Sequence, residues 1–209
     1  DPRYFALFVA AGLLGIAGEL AVAWLWRTFF RVPIWTYSYN SVLAGHTSTL
    51  NFLPWAIGAL LLHTTGRLVG ALAGIDIGTD AAVSRAMLVA TLAFIVGYIV
   101  GWPLRRLTRA RTGEFSKPAF AVFCLPIAVV AIALAIFCAP AWPAVMLALS
   151  IVGFLTEYGY GRSMSLFFEQ GLWTYNHWKI DSGHTSFVTL PLWALGGLYF
   201  HFIAVCLGL

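Results

Sequence analysis

The sequence predicts an all-α fold: a polytopic integral membrane protein of about six transmembrane helices, with an internal parallel duplication of a helix–loop–helix unit. Three observations carry this. The 209 residues are 61% hydrophobic and only 10% charged, where a soluble domain carries about a quarter charged residues. Six apolar runs approach or exceed the ~20 residues needed to cross a bilayer. One stretch repeats, without gaps, 138 residues further on.

The apolar runs are Tyr4–Phe30, Leu43–His63, Met87–Pro103, Pro118–Phe137, Pro143–Phe168 and Thr185–Leu209. The first is too long for the apolar core of a signal peptide and reads as a spanning helix. The third is the shortest, with room to extend back to Asp80. Thr64 to Asp80 reads as an external loop or a short interfacial helix. Nine Trp, eight Tyr and sixteen Phe suit aromatic belts at the two interfaces.

Net charge is +4, yet no basic stripe or RNA-binding signature appears, so no nucleic-acid partner is expected. The cations instead report topology. Arg105, Arg106, Arg109 and Arg111 separate runs three and four, which makes the 105–117 loop cytoplasmic. Alternation then puts both termini outside. It also puts Arg27, Arg31, Arg162 and Lys179 inside. Cys124, Cys138 and Cys206 lie in apolar runs at no metal-ligand spacing and read as small buried hydrophobes.

The duplication aligns the segment from Trp35 with that from Trp173. Trp-Thr-Tyr (35–37) meets Trp-Thr-Tyr (173–175), and Gly-His-Thr-Ser (45–48) meets Gly-His-Thr-Ser (183–186). Trp55, Gly58 and His63 meet Trp193, Gly196 and His201. Backwards, Gly15 meets Gly153, Glu19 meets Glu157, and Phe29-Phe30 meets Phe167-Phe168. Repeat one covers about 4–63 and repeat two about 142–201, with helices three and four at about 80–138 between them, all in one transmembrane domain. The offset spans an even number of crossings, so the units point the same way, related by an axis along the membrane normal. A polar site at that axis, near the cytoplasmic leaflet, is the expectation.

Glu19 and Glu157 lead the candidates for that site. Each sits about eleven residues before the end of its run, roughly 15 Å deep at 1.5 Å per residue. A carboxylate there is costly unless paired, protonated or wetted, and intramembrane acids usually serve function. His46, His184, Thr47 and Thr185 are expected to open their helices, with Ser and Thr as caps and free N–H groups offered to anions. His63 and His201, at far helix ends, are expected at the interface. Two Glu and two His would suit zinc or iron, but a helix starting at each Gly leaves the His about 10 Å too shallow. No metal or cofactor is therefore expected.

Tyr37 and Tyr175 belong to segments that read either as interfacial anchors or as loops folded back over the polar site. Asp181 occurs only in repeat two, opposite Leu43, so the site need not be chemically symmetric.

Ser182-Gly183-His184-Thr185-Ser186 resembles the Ser-Gly-His motif of type 2 phosphatidic acid phosphatases, without the Arg and Asp that follow it there. A longer resemblance covers Glu19 to Gly58 and Glu157 to Gly196. An acid, Phe-Phe, Trp-x-Tyr, Gly and a new apolar helix are similar to the CmpB-like family, labelled as type IV permeases of ABC transporters. That family has Trp-Asp-Tyr where this chain has Trp-Thr-Tyr. The resemblance implies a permease-like protein but names no substrate. No P-loop is present, so ATP coupling would need a partner.

The expected function is binding or translocation of a small polar or amphipathic ligand. An intramembrane enzyme using Glu and His on a lipid or isoprenoid is the second expectation. A structural subunit of a larger complex is the third. Membrane lipids and partner subunits are the expected partners.

Overall fold

The computed structural model describes residues 1–75, 80–108, 115–169 and 171–209. Among the described residues six helices are long and apolar enough to cross a membrane, and the chain is an integral membrane protein. They are α1 (Pro2–Phe30), α2 (Phe52–Leu72), α3 (Asp80–Leu104), α4 (Lys117–Phe137), α5 (Trp142–Met164) and α6 (Leu190–Cys206). Large apolar side chains point outward in mid-helix, among them Ile57, Leu92, Ile99 and Leu155. Water would penalise that pattern and lipid does not.

Local chemistry sets the helix ends. Asp1 caps α1 by accepting from Arg3 N at 3.0 Å, with Pro2 in the first turn. Ser116 caps α4 by accepting from Ala119 N at 3.3 Å. Arg3 Nη1 also donates to Gly208 O at 2.5 Å, which holds the two termini at one end of the bundle.

Several boundaries differ from the sequence reading. Helix α2 continues past His63 to Leu72, so residues 64–72 are part of a spanning helix rather than an external loop or a short interfacial helix. Helix α5 stops at Met164 rather than Phe168, whereas α3 begins at Asp80, the extension that the sequence allowed. The residues 76–79 and 109–114, including Arg109 and Arg111 of the basic loop, lie outside the described residues.

The largest correction concerns Gly-His-Thr-Ser. No helix opens there. Ser41–Val42 (β2) pairs antiparallel with Thr47–Ser48 (β3), and Lys179–Ile180 (β5) pairs with Thr185–Ser186 (β6). A single 3-10 turn (Thr49–Asn51; Phe187–Thr189) then leads into α2 or α6. Ser48 and Ser186 cap these turns by accepting from Leu50 N and Val188 N, both at 3.2 Å. The reason is backbone geometry. Asn40 and Leu43 adopt left-handed φ of 44° and 49°, and their repeat mates Trp178 and Asp181 adopt 40° and 54°. A non-glycine residue held there costs about 1–2 kcal/mol. The two loops share these two positions, and Ala44 at φ 60° adds a third in the first loop alone.

The remaining strands join the repeats. Trp35–Tyr37 (β1) pairs antiparallel with Trp173–Tyr175 (β4), with Thr36 opposite Thr174. That register is its own mate under the 138-residue offset, so the pseudo-twofold axis passes between the two threonines. Helices α2 and α6 pack along the axis. His63 and His201 stack there at 5.2 Å, both buried, and are not interfacial.

Symmetry breaks outside this core. Helix α5 packs along α2, but α1 stands off α6. The α3–α4 hairpin wedges into that gap, with Phe94 and Tyr98 of α3 and Phe123 of α4 facing Val22, Leu192 and Leu195 across an apolar crevice.

Candidate functional site

Glu19 and Glu157 sit in matching cages. Gly15 lies one helical turn before Glu19, so both face the same way. A Cβ on Gly15 would come within 2.2 Å of the Trp55 ring, and one on Gly153 within 2.5 Å of Trp193. The glycines are notches that seat one Trp beneath each acid. Beyond Glu19, α1 runs eleven more residues, about 16 Å. Tyr37 is only seven residues past the helix end, and seven extended residues can span about 23 Å. The chain doubles back along its own helix, and the loop reaches the depth of the acid. Of the two readings of Trp-Thr-Tyr, the folded-back loop is the one observed. Glu157 lies seven residues from the end of α5, about 10 Å.

The Tyr37 hydroxyl donates to Glu19 Oε1 at 2.6 Å. Asn51 Nδ2 donates to both carboxylate oxygens, at 2.9 and 3.1 Å, and to the Tyr37 hydroxyl oxygen. Thr47 Oγ1 donates to Oε2. Around Glu157, the Tyr175 hydroxyl donates to Oε1 and Thr185 Oγ1 to Oε2 at 2.5 Å. Thr189 Oγ1 lies 3.2 Å and Trp193 Nε1 3.3 Å from Oε2. Every donor is neutral, and each cage draws on β1 or β4, its own hairpin and its 3-10 turn, with Trp193 of α6 added around Glu157. Burial, with the neighbouring carboxylates, holds the Tyr37 and Tyr175 phenols well above their ordinary range, so both remain O–H donors.

Aromatic pairs cross the axis beside the cages. Trp35 meets Tyr175 at 5.6 Å, Tyr37 meets Trp173 at 5.9 Å, and Trp55 meets Trp193 at 5.3 Å. The indole N–H of Trp35 donates to His46 O at 2.7 Å, and that of Trp173 to His184 O at 3.1 Å. These bonds pin each hairpin over its cage.

Two cavities flank the axis. One, of about 340 Å³, lies between α1 and α6 and includes Gly18, Tyr175, Thr189 and Gly196. The other, of about 400 Å³, lies between α5 and α2 and includes Thr156, Tyr37, Asn51 and Gly58. Each of those residues is the other's mate at the 138-residue offset. Glu19, Glu157, Trp55 and Trp193 line both cavities.

The structure therefore gathers six of the nine residues singled out from the sequence: Glu19, Tyr37 and Thr47, and Glu157, Tyr175 and Thr185. It places three elsewhere. His46 turns outward, its Nδ1 against Leu43 O and its Nε2 3.3 Å from Arg27 Nη1. His184 is buried, and among the described residues neither imidazole bonds to a carboxylate. Asp181 pairs with Arg162 on the surface. The backbone of Gly-His-Thr-Ser is committed to hairpins, so it offers no helix start to an anion.

Sequence reasoning missed Asn51 and Thr189, and gave Trp55 and Trp193 no role. A signal existed. The two Trp match across the repeat, and Asn51 and Thr189 are polar residues at equivalent points where apolar helices begin.

No family model, curated protein or solved structure matches this chain.

Proposed function

We propose that this protein binds a small amphipathic ligand with a cationic group at its pair of intramembrane carboxylates, as the holding step of a permease-like translocation. One observation carries the reading. Two carboxylates line the same cavities, and among the described residues the ion pairs are Arg3–Asp1 and Arg162–Asp181, with none at Glu19 or Glu157. Neutral donors stabilise a carboxylate but do not cancel its charge. Two like charges at low dielectric repel strongly, so protons or a bound cation must balance them. Trp and Tyr faces around the acids add favourable sites for an organic ammonium. Cavities of this size suit a small molecule.

The acid–base enzyme reading needs a Glu and a His in hydrogen-bond reach, a pairing that the placement of His46 and His184 does not favour. Arg105, Arg106, Lys117, Arg27, Arg31, Arg162 and Lys179 cluster at the loop end of the bundle, which supports a cytoplasmic loop end and external termini.

The test is purification in native lipid, with bound small molecules identified by mass spectrometry. The Glu19→Gln/Glu157→Gln double variant is expected to lose at least tenfold in ligand retention, about 1.4 kcal/mol, while folding normally. Full retention in a folded double variant refutes the reading.

A further inference from the structure

We infer that the two cavities are a pair of lateral sites, entered from the bilayer, that hold the apolar body of a membrane-dissolved alkylammonium while its head rests at the shared carboxylates. This rests on the cationic-ligand reading above and adds the route and the class of ligand.

The symmetry supplies the first argument. Rotation about an axis along the membrane normal changes direction but not depth. The two cavities are mates under that rotation, so they lie at one level on opposite flanks. They cannot be successive stations across the membrane. Their rims are residues of the spanning helices that face outward from the bundle. Leu14 and Gly18 border the first, and Leu53, Ile57 and Leu61 the second, all exposed. In a spanning helix that direction is lipid.

The glycines supply the second argument. Gly58 and Gly196 are repeat mates inside α2 and α6, seven residues past Asn51 and Thr189. That places them about 10 Å along the helix from the carboxylate level. A Cβ at either would meet nothing within 4 Å, and the same holds at Gly18. Glycine weakens a helix interior relative to alanine. Gly15 and Gly153 repay that by seating a Trp, but Gly58 and Gly196 repay it with no contact in the protein. Their absent side chains are cavity. Each cavity thus runs from a charged end to an empty apolar groove, the shape of an ammonium on an alkyl chain. Trp55 and Trp193 form the wall between the two.

The test uses the full-length protein in phosphatidylcholine nanodiscs with a long-chain alkylammonium bearing a chain diazirine. An alcohol of the same chain length is the uncharged comparison. After photolysis, the label is mapped to peptides. The ammonium is expected to mark the Leu53–Leu61 and Leu192–Ile203 stretches at least tenfold more than the alcohol does. Gly58→Leu is expected to erase the first mark alone and Gly196→Leu the second alone. Gly159→Leu, on a helix face outside both cavities, should change neither. Marks that survive both plugs overturn the lateral sites, even if Glu19→Gln/Glu157→Gln abolishes them and the cation reading stands. Marks that the plugs erase equally for ammonium and alcohol leave the sites but overturn the charged head group, and the cation reading with it.

Discussion

Trp55 and Trp193 face each other across the pseudo-twofold axis at 5.3 Å, each seated in the glycine notch of the helix that carries the acid. The same two indoles separate the cavities and support the floor of each cage. Stability and site shape therefore depend on one contact, copied once.

The notch and the groove should respond differently to the same substitution. Gly15→Leu or Gly153→Leu must displace a Trp ring from within 2.6 Å of its Cβ position. Overpacking of this kind costs about 1–3 kcal/mol or more. Gly58→Leu and Gly196→Leu enter open space and should leave the thermal midpoint unchanged or raised. Differential scanning in detergent compares the four variants.

Removing one donor from a cage should destabilise the protein by about 1–3 kcal/mol, since the acid loses a buried bond. Tyr37→Phe and Tyr175→Phe are the cleanest cases, because they keep the ring contacts across the axis. They also carry a pH signature. Both phenols titrate well above their ordinary range in the fold and near 10 when unfolded. The unfolded chain therefore releases these protons first as pH rises. Their contribution is complete below pH ~10 and is lost progressively above it. Each Phe variant should flatten that alkaline fall, measured as unfolding midpoint against pH. An unchanged slope in the double variant would show that the phenols are not the groups responsible.

Sidedness can be read directly. In a background where Cys124, Cys138 and Cys206 are Ala, Arg3→Cys should react with an impermeant maleimide on intact cells or right-side-out vesicles. Arg106→Cys should react only after permeabilisation. The reverse pattern would invert the assignment.

Much of this was legible in the sequence. Six spans followed from hydropathy, because a helix in lipid must satisfy its own backbone bonds and cover them with apolar side chains. The duplication followed from Trp-Thr-Tyr, Gly-His-Thr-Ser and the acids at one offset, and it fixed a parallel repeat with Glu19 and Glu157 as mates. Tyr37 lies beside Glu19 by the folded-back loop, one of the two readings its segment allowed. Thr47 lies there for a different reason than the expected helix start, because a hairpin carries it back into the bundle.

What the chain order could not decide was direction. His46 and Thr47 are neighbours, but His46 ends the turn at 43–46 and Thr47 opens β3. Thr47 meets Glu19 while His46 meets Arg27. Whether that segment was strand or helix turned on left-handed residues at positions 40 and 43, which no hydropathy pattern reveals. The cavities were equally hidden, because an empty space beside a glycine is a property of the helices around it. Local chemistry set the spans and the repeat. Only the packing of one repeat against the other determined which polar groups meet and where room was left for a guest.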